Sequence, residues 1–252
     1  MPTFLSEKTL SGFERDGFVV ARGLFSAENV GLIEAWTDEL ESAPEIPGNS
    51  MKYYEESLLE SGRRILQRIE NFYPYHEGFR NLLDGELRDI ISQLFGEPAV
   101  LFKDKINLKK PGGSGFKPHQ DQQAGWGVYA KLFITAMVSI DASDDRNGCL
   151  ALAAGHHRRG LIGKEWEPLG GAELSGMSFV PYPTAPGDVL LFDSYAPHGS
   201  EPNLTARSRR ILYVTYNRLS EGDHRERYFA DKRRAFPPDI EREPGKTYVF
   251  RV

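Results

Sequence analysis

The chain has 252 residues, a single cysteine (Cys149) and a formal net charge of −5. The acidic balance excludes a general nucleic-acid binder, which needs a basic excess. One cysteine excludes an intrachain disulfide framework or a multi-cysteine zinc site and points to a reducing, cytoplasmic setting, and with neither an apolar leader before Glu7 and Lys8 nor an apolar run longer than Leu132 to Ile140, no membrane role is expected.

Ser6 caps a short helix that reaches residue 16, and Gly17-Phe-Val-Val-Ala-Arg-Gly23 reads as a strand between glycines. Ser26 caps a longer helix with Val30, Ile33 and Leu40 at helical period, and Pro44 lies beyond its end. Residues 44–62 are polar, carry Pro44, Pro47 and Gly48, and read as a loop, the candidate lid of any pocket. Residues 64–70 alternate as a strand does; residues 76–83 and 86–95 read as helices, the second stopping at Gly96. A single domain is expected, with residues 1–97 as mostly helical support containing one or two strands, 98–220 as a β core and 221–252 as a charged tail whose Arg225 to Arg234 run forms a solvated helix face and whose Tyr228, Phe229 and Phe236 are the candidate anchors to the body.

After Pro98 the pattern changes. Leu101, Lys103, Lys105, Asn107 and Lys109 alternate with Phe102, Asp104, Ile106 and Leu108. A face of Lys, Lys, Asn and Lys is either turned to solvent or walls a polar cavity, and the strand pattern alone favours solvent. Pro111 to Gly115 is a turn, and Gln122 to Gly127 places Trp126 in a loop between glycines at a pocket mouth. Residues 132–140, 149–153, 178–182, 189–192 and 209–217 read as further strands. Short strands punctuated by Gly and Pro, after a helical first part, predict a mainly β fold: a double-stranded β-helix, or jelly roll, flanked by N-terminal helices.

Between these elements lies Phe116-Lys-Pro-His-Gln-Asp121. Residues two apart on an extended chain point the same way, so His119 and Asp121 present an imidazole and a carboxylate to one cavity. Alone, a His-x-Asp is a weak signal. His198, just past a buried strand, supplies a third ligand and completes a 2-His-1-carboxylate set with open positions. Arg209 follows eleven residues later at the start of a strand. A guanidinium there neutralises the far carboxylate of a chelating dicarboxylate through two parallel hydrogen bonds, and Ser200 adds a hydroxyl donor.

With these pieces the chain resembles the phytanoyl-CoA dioxygenase family of Fe(II)/2-oxoglutarate oxygenases. The resemblance rests on His119-Gln-Asp121, Asn147-Gly-Cys-Leu150 leading to Gly155-His156, Pro186-Gly-Asp188, and His198-Gly-Ser200 with Asn203 and Arg209. It implies iron on His119, Asp121 and His198, 2-oxoglutarate on Arg209, and O2 as co-substrate, with succinate formed as a substrate C–H bond is hydroxylated. Arg210 is adjacent but faces the other way. The run Lys105-Ile-Asn-Leu-Lys109 is similar to the corresponding strand of the ectoine-hydroxylating branch. That match assigns Lys109 to the co-substrate and Lys103 to the substrate; Asn107, on the same face, is expected to join Lys109, and Lys105 to join Lys103. It turns the lysine face inward.

A lysine row with Gln120, Gln122 and Trp126 beside it suits a small anionic or zwitterionic substrate, and Gln123, Arg146 and Arg158 add to the same polarity. The run from Lys103 to Trp126, with His157-Arg-Arg-Gly-Leu-Ile-Gly163, resembles the branch that converts 2-aminoethylphosphonate to 2-amino-1-hydroxyethylphosphonate in phosphonate breakdown. Lysines would take the phosphonate and an aromatic face, Trp126 or Tyr129, the ammonium. The alternatives are a hydroxylase of another small metabolite, a non-catalytic jelly-roll binding protein, and a zinc hydrolase on the same ligands. The last two give Arg209 no purpose.

Overall fold

A computed structural model describes residues 5–248. Helix signals resolve as the caps require. The Ser6 hydroxyl accepts from Thr9 N ahead of α1 (Glu7–Asp16), which ends at Gly17 in the left-handed region (φ 83°) and leads into β1 (Phe18–Ala21). Ser26 likewise caps α2 (Ala27–Ser42). There follow β2 (Met51–Glu56), β3 (Arg64–Glu70), α3 (Glu77–Asp84), α4 (Glu86–Phe95) and β4 (Ala99–Lys109). The second half of the chain carries β5 (Phe116–His119), β6 (Phe133–Ser139), β7 (Leu150–Leu152), β8 (Val180–Pro181), β9 (Val189–Asp193), β10 (His198–Ser200), β11 (Arg209–Arg218) and α5 (Arg225–Ala235).

The strands form a seven-stranded sheet, β1-β9-β6-β11-β4-β3-β2, and a four-stranded sheet, β5-β10-β7-β8. Every pairing is antiparallel. Alternation along the long strands decides the layering. Leu212, Val214 and Tyr216 of β11, with Ile134, Ala136 and Val138 of β6, pack outward under α2, α3 and α4. Ile211 and Tyr213, with Met137, face the small sheet and pack on Leu150, Leu152 and Phe192. The jelly roll expected from the sequence is present, and its two sheets leave between them the space that holds the site.

Two expectations are corrected by pairing. The stretch 44–62 is not a lid-like loop throughout: β2 lies within it, zips antiparallel to β3, and buries Met51 and Tyr53. With β1, β2 and β3 all joining the larger sheet, residues 1–97 contribute its two edges as well as helical cover. In β4 a register shift leaves Phe102 without an opposite residue, since Thr215 pairs with Lys103 and Tyr216 with Leu101. The bulge exchanges sides: Leu101 joins the outer core, while Phe102 packs against Trp126, Phe133 and Tyr228.

The charged tail is anchored through the aromatic residues expected, but its basic run is not wholly solvated. Helix α5 buries Tyr228 and Phe229, and Arg225 donates to Asp104 Oδ1 at 2.6 Å and to Asn71 Oδ1 at 2.7 Å. Asp104 is fully buried, its other oxygen accepting from the backbone N–H of Phe72 and Tyr73. Removing one partner of a buried pair leaves an uncompensated charge. Arg225→Met is therefore expected to lower unfolding free energy by about 3 kcal/mol, read as a drop in the urea midpoint. An unchanged midpoint would refute the anchoring role.

Candidate metal centre and its cavity

β5 and β10 are antiparallel neighbours in which His119 and His198 are direct Cα partners. This register puts both imidazoles on the inner face, ring centroids 4.3 Å apart. Gln120 stays extended (φ −109°, ψ 136°), so the two-residue alternation carries past the strand end and turns Asp121 to the same side. Asp121 Oδ1 lies 3.9 Å from Nε2 of each histidine. One ligand atom from each of the three residues falls within 4.8 Å of the others, the spacing of a single metal ion's ligands.

The backbone fixes how these groups are presented. His119 Nδ1 lies 2.7 Å from the Lys117 carbonyl and His198 Nδ1 2.9 Å from that of Ala196. A carbonyl only accepts, so each Nδ1 carries the proton and each Nε2 turns a lone pair to the common point. Burial, then the neighbouring His198, push the His119 pKa down to about 3, which keeps its imidazole neutral and ready to ligate. Burial works to raise the Asp121 pKa, but His198 and His119 outweigh it and hold the carboxyl below its usual range. Two imidazoles and one carboxylate fit a divalent transition metal with positions left open.

The triad opens on a cavity whose facing wall carries Lys103, Lys105 and Asn107. The lysine row therefore points inward. Lys103 Nζ sits 5.3 Å from the Trp126 ring centroid, and Lys105 Nζ 4.8 Å from that of Tyr213. Among the described residues neither ammonium has a carboxylate within 4 Å. Burial, then the Lys103 ammonium, lower the Lys105 pKa to about 7. Lys105 is thus poised to gain from an incoming anion.

Further along the same wall, Arg209 and Lys109 are direct partners across β11 and β4. Lys109 donates to the Ser200 hydroxyl at 2.8 Å and the Glu201 carbonyl at 2.6 Å, which links it to the cavity that Ser200 lines. Its pKa is lowered to about 6, first by burial and then by Arg209. Arg209 is 1% exposed, and its Nε and Nη1 have no hydrogen-bond partner; neither has Asn107 Oδ1. Buried guanidinium N–H groups left unpaired are costly. They mark a place where a carboxylate would be accepted.

Other candidates lie elsewhere. Gln120 is fully buried and points away from the triad, donating to Gly160 O and Tyr195 O and accepting from Ile162 N. Gln122 accepts from Ser194 Oγ. Both amides brace the turn, so neither is available to a substrate. Trp126 does line the cavity, whereas Tyr129 turns its hydroxyl to Asp231. Arg146 pairs with Asp144 on the surface, Arg158 reaches Glu14 O, and Arg210 pairs outward with Asp141, Asp38 and Glu34. Thr135, Tyr213 and Thr215 complete the cavity. They sit on strands recognisable in the sequence, at the inward parity of Ile211, but nothing in their residue type distinguished them from core.

A family model described as phytanoyl-CoA dioxygenase matches residues 13–211. The chain is 44% identical over 248 residues to a 2-aminoethylphosphonate dioxygenase of an uncultured bacterium, covering 98% of this chain and 94% of that one. It is 38% identical over 238 residues to a methylphosphonate hydroxylase of Gimesia maris, covering 94% and 90%. Among solved structures, EctD from S. alaskensis with 2-oxoglutarate and 5-hydroxyectoine superposes with a TM-score of 0.73 at 23% identity, over 87% of this chain and 78% of that one. Among the described residues no helix is long and apolar enough to cross a membrane.

Proposed function

The chain belongs to the phytanoyl-CoA dioxygenase family, and from that premise we propose that it is an Fe(II)- and 2-oxoglutarate-dependent hydroxylase of a small organophosphonate, 2-aminoethylphosphonate first. The observation that carries the substrate class is the pair of ammonium groups, Lys103 and Lys105, that face the triad across one cavity with no carboxylate partner within 4 Å among the described residues. A phosphonate brings up to two negative charges to that wall, and both of the relatives above carry phosphonates in their names.

His119 and His198 would hold the metal through Nε2 and Asp121 through its carboxylate. The carbonyls of Lys117 and Ala196 lock the ring orientation. Iron with 2-oxoglutarate and O2, when bound, supplies the oxidising chemistry: the substrate gains one oxygen atom, and 2-oxoglutarate becomes succinate and CO2. Arg209, with Lys109 and Ser200, takes the far carboxylate of 2-oxoglutarate. Lys103 and Lys105 fix the phosphonate, which orients the adjacent carbon toward the triad. Trp126 and Phe192 give that space apolar walls. Among the described residues the cavity is lined by no carboxylate besides Asp121, so the ammonium end meets aromatic surface.

Succinate release tests this reading. With Fe(II), 2-oxoglutarate and O2, 2-aminoethylphosphonate is expected to yield succinate and a hydroxylated phosphonate in equal amounts. Turnover of ectoine or a long-chain acyl substrate, with none of the phosphonate, would overturn the substrate class. No succinate from any of them, together with no visible charge-transfer band when Fe(II) and 2-oxoglutarate are added anaerobically, would leave a binding protein.

A further inference from the structure

Glu70 of β3 and Lys105 of β4 are direct Cα partners, so both side chains leave the sheet on one face. That register ordinarily forms a cross-strand acid–base pair. Here it does not. Glu70 Oε1 lies 3.0 Å from Arg68 Nε, and Oε2 accepts from Lys232 Nζ, which arrives from α5. The carboxylate is 1% exposed, Arg68 3% and Lys232 10%, so this cluster is shut off from water. Lys105 is left over the Tyr213 ring, and Lys103 over those of Trp126 and Tyr228.

We propose that Lys232, with Arg68, is a positioning residue for substrate recognition: by occupying both oxygens of Glu70, these cations keep Lys103 and Lys105 free for an anionic head group. The inference rests on the phosphonate reading above and names residues outside the cavity that set its affinity. The charged groups acting on Lys105 are Lys103 and Arg68, which repel it, and Asp121 and Glu70, which attract it. Without Lys232 one oxygen of Glu70 is unpaired in a buried setting. The cations left to satisfy it are the two cavity lysines, Lys103 and its own cross-strand partner Lys105, both of which already act on Glu70. Either would then be neutralised from within, and the substrate would have to compete with Glu70 for it. Helix α5 is held by the same contact, with Lys232 over the Tyr53 and Tyr228 rings, so docking of the C-terminal helix and affinity for the anion are one interaction.

The test is a calorimetric titration of 2-aminoethylphosphonate into protein loaded with Fe(II) and 2-oxoglutarate under argon. Lys232→Met is expected to weaken binding at least about tenfold, and Lys232→Met/Glu70→Gln to bring it back within about threefold of the parent. In turnover the single variant is expected to raise KM with little change in kcat. A merely structural role for Lys232 would give no recovery on removing Glu70, since the double variant removes still more of the cluster. Unchanged affinity in Lys232→Met, or weakened affinity that Glu70→Gln does not restore, overturns the proposal while leaving the phosphonate reading in place. A parent protein that binds no phosphonate overturns that reading itself. If Lys232→Met does not fold, Lys232→Gln read in the same titration decides the matter.

Discussion

His198→Ala is expected to abolish both substrate-dependent succinate formation and the weak visible charge-transfer band of the anaerobic Fe(II)–2-oxoglutarate complex. The reason is geometric. His198 is 5% exposed, its Nδ1–H is held by the Ala196 carbonyl, and its ring is packed between those of His119 and Phe192. Only Nε2 is left, and it points at Asp121. Alanine leaves one imidazole and one carboxylate, too few to fix a divalent metal with its open positions in place. The expected loss in turnover is at least about 10³-fold, beyond the 10- to 100-fold that loss of a ligand's outer partner costs. The backbone pairing of β10 with β5 and β7 does not involve the side chain, so the fold should survive. Circular dichroism separates loss of metal from loss of structure. A folded His198→Ala protein that keeps the band, or a tenth of the turnover, would remove His198 from the ligand set.

The sequence was most informative where function depends on neighbours along the chain. His119 and Asp121 could be grouped because extended backbone alternates, and the structure extends that alternation through Gln120. The same rule, applied strictly, already placed Gln120 on the opposite side; its amide braces the Gly160 and Tyr195 carbonyls. The inward turn of Lys103 and Lys105 was not legible from the strand pattern, because charged residues on a polar cavity and on a solvent face alternate identically. Nor was β2, whose polar stretch becomes a strand only because β3 is there to pair with it. The bulge at Phe102 depends on the opposite strand, and the Glu70–Lys232 contact joins residues 162 apart. Pairings of that range are set by the packed fold and leave no periodic trace.

Arg209 leads to an expectation of opposite sign for activity and stability. Its guanidinium is 1% exposed, with Nε and Nη1 unpaired and the Lys109 ammonium opposite it in the register. Without a bound anion this is a buried positive charge facing another, and it costs stability. Arg209→Met keeps much of the volume and removes the charge. The free protein should therefore unfold no earlier, and by roughly 1 kcal/mol or more later, than the parent. Affinity for 2-oxoglutarate should fall by about 100-fold, as expected when a buried, bidentate charge partner is lost at a cost of 2–5 kcal/mol. Arg209→Lys retains the charge but not the fork and should fall between the two. Thermal unfolding reads both effects at once. Saturating 2-oxoglutarate should raise the melting temperature of the parent, because a ligand that binds only the native state stabilises by mass action, and should leave that of Arg209→Met nearly unmoved. A variant that melts several degrees below the parent without ligand would show the guanidinium to be a structural group satisfied within the fold. One that still responds fully to 2-oxoglutarate would place the co-substrate carboxylate elsewhere, with Lys109 and Ser200 the next residues to replace.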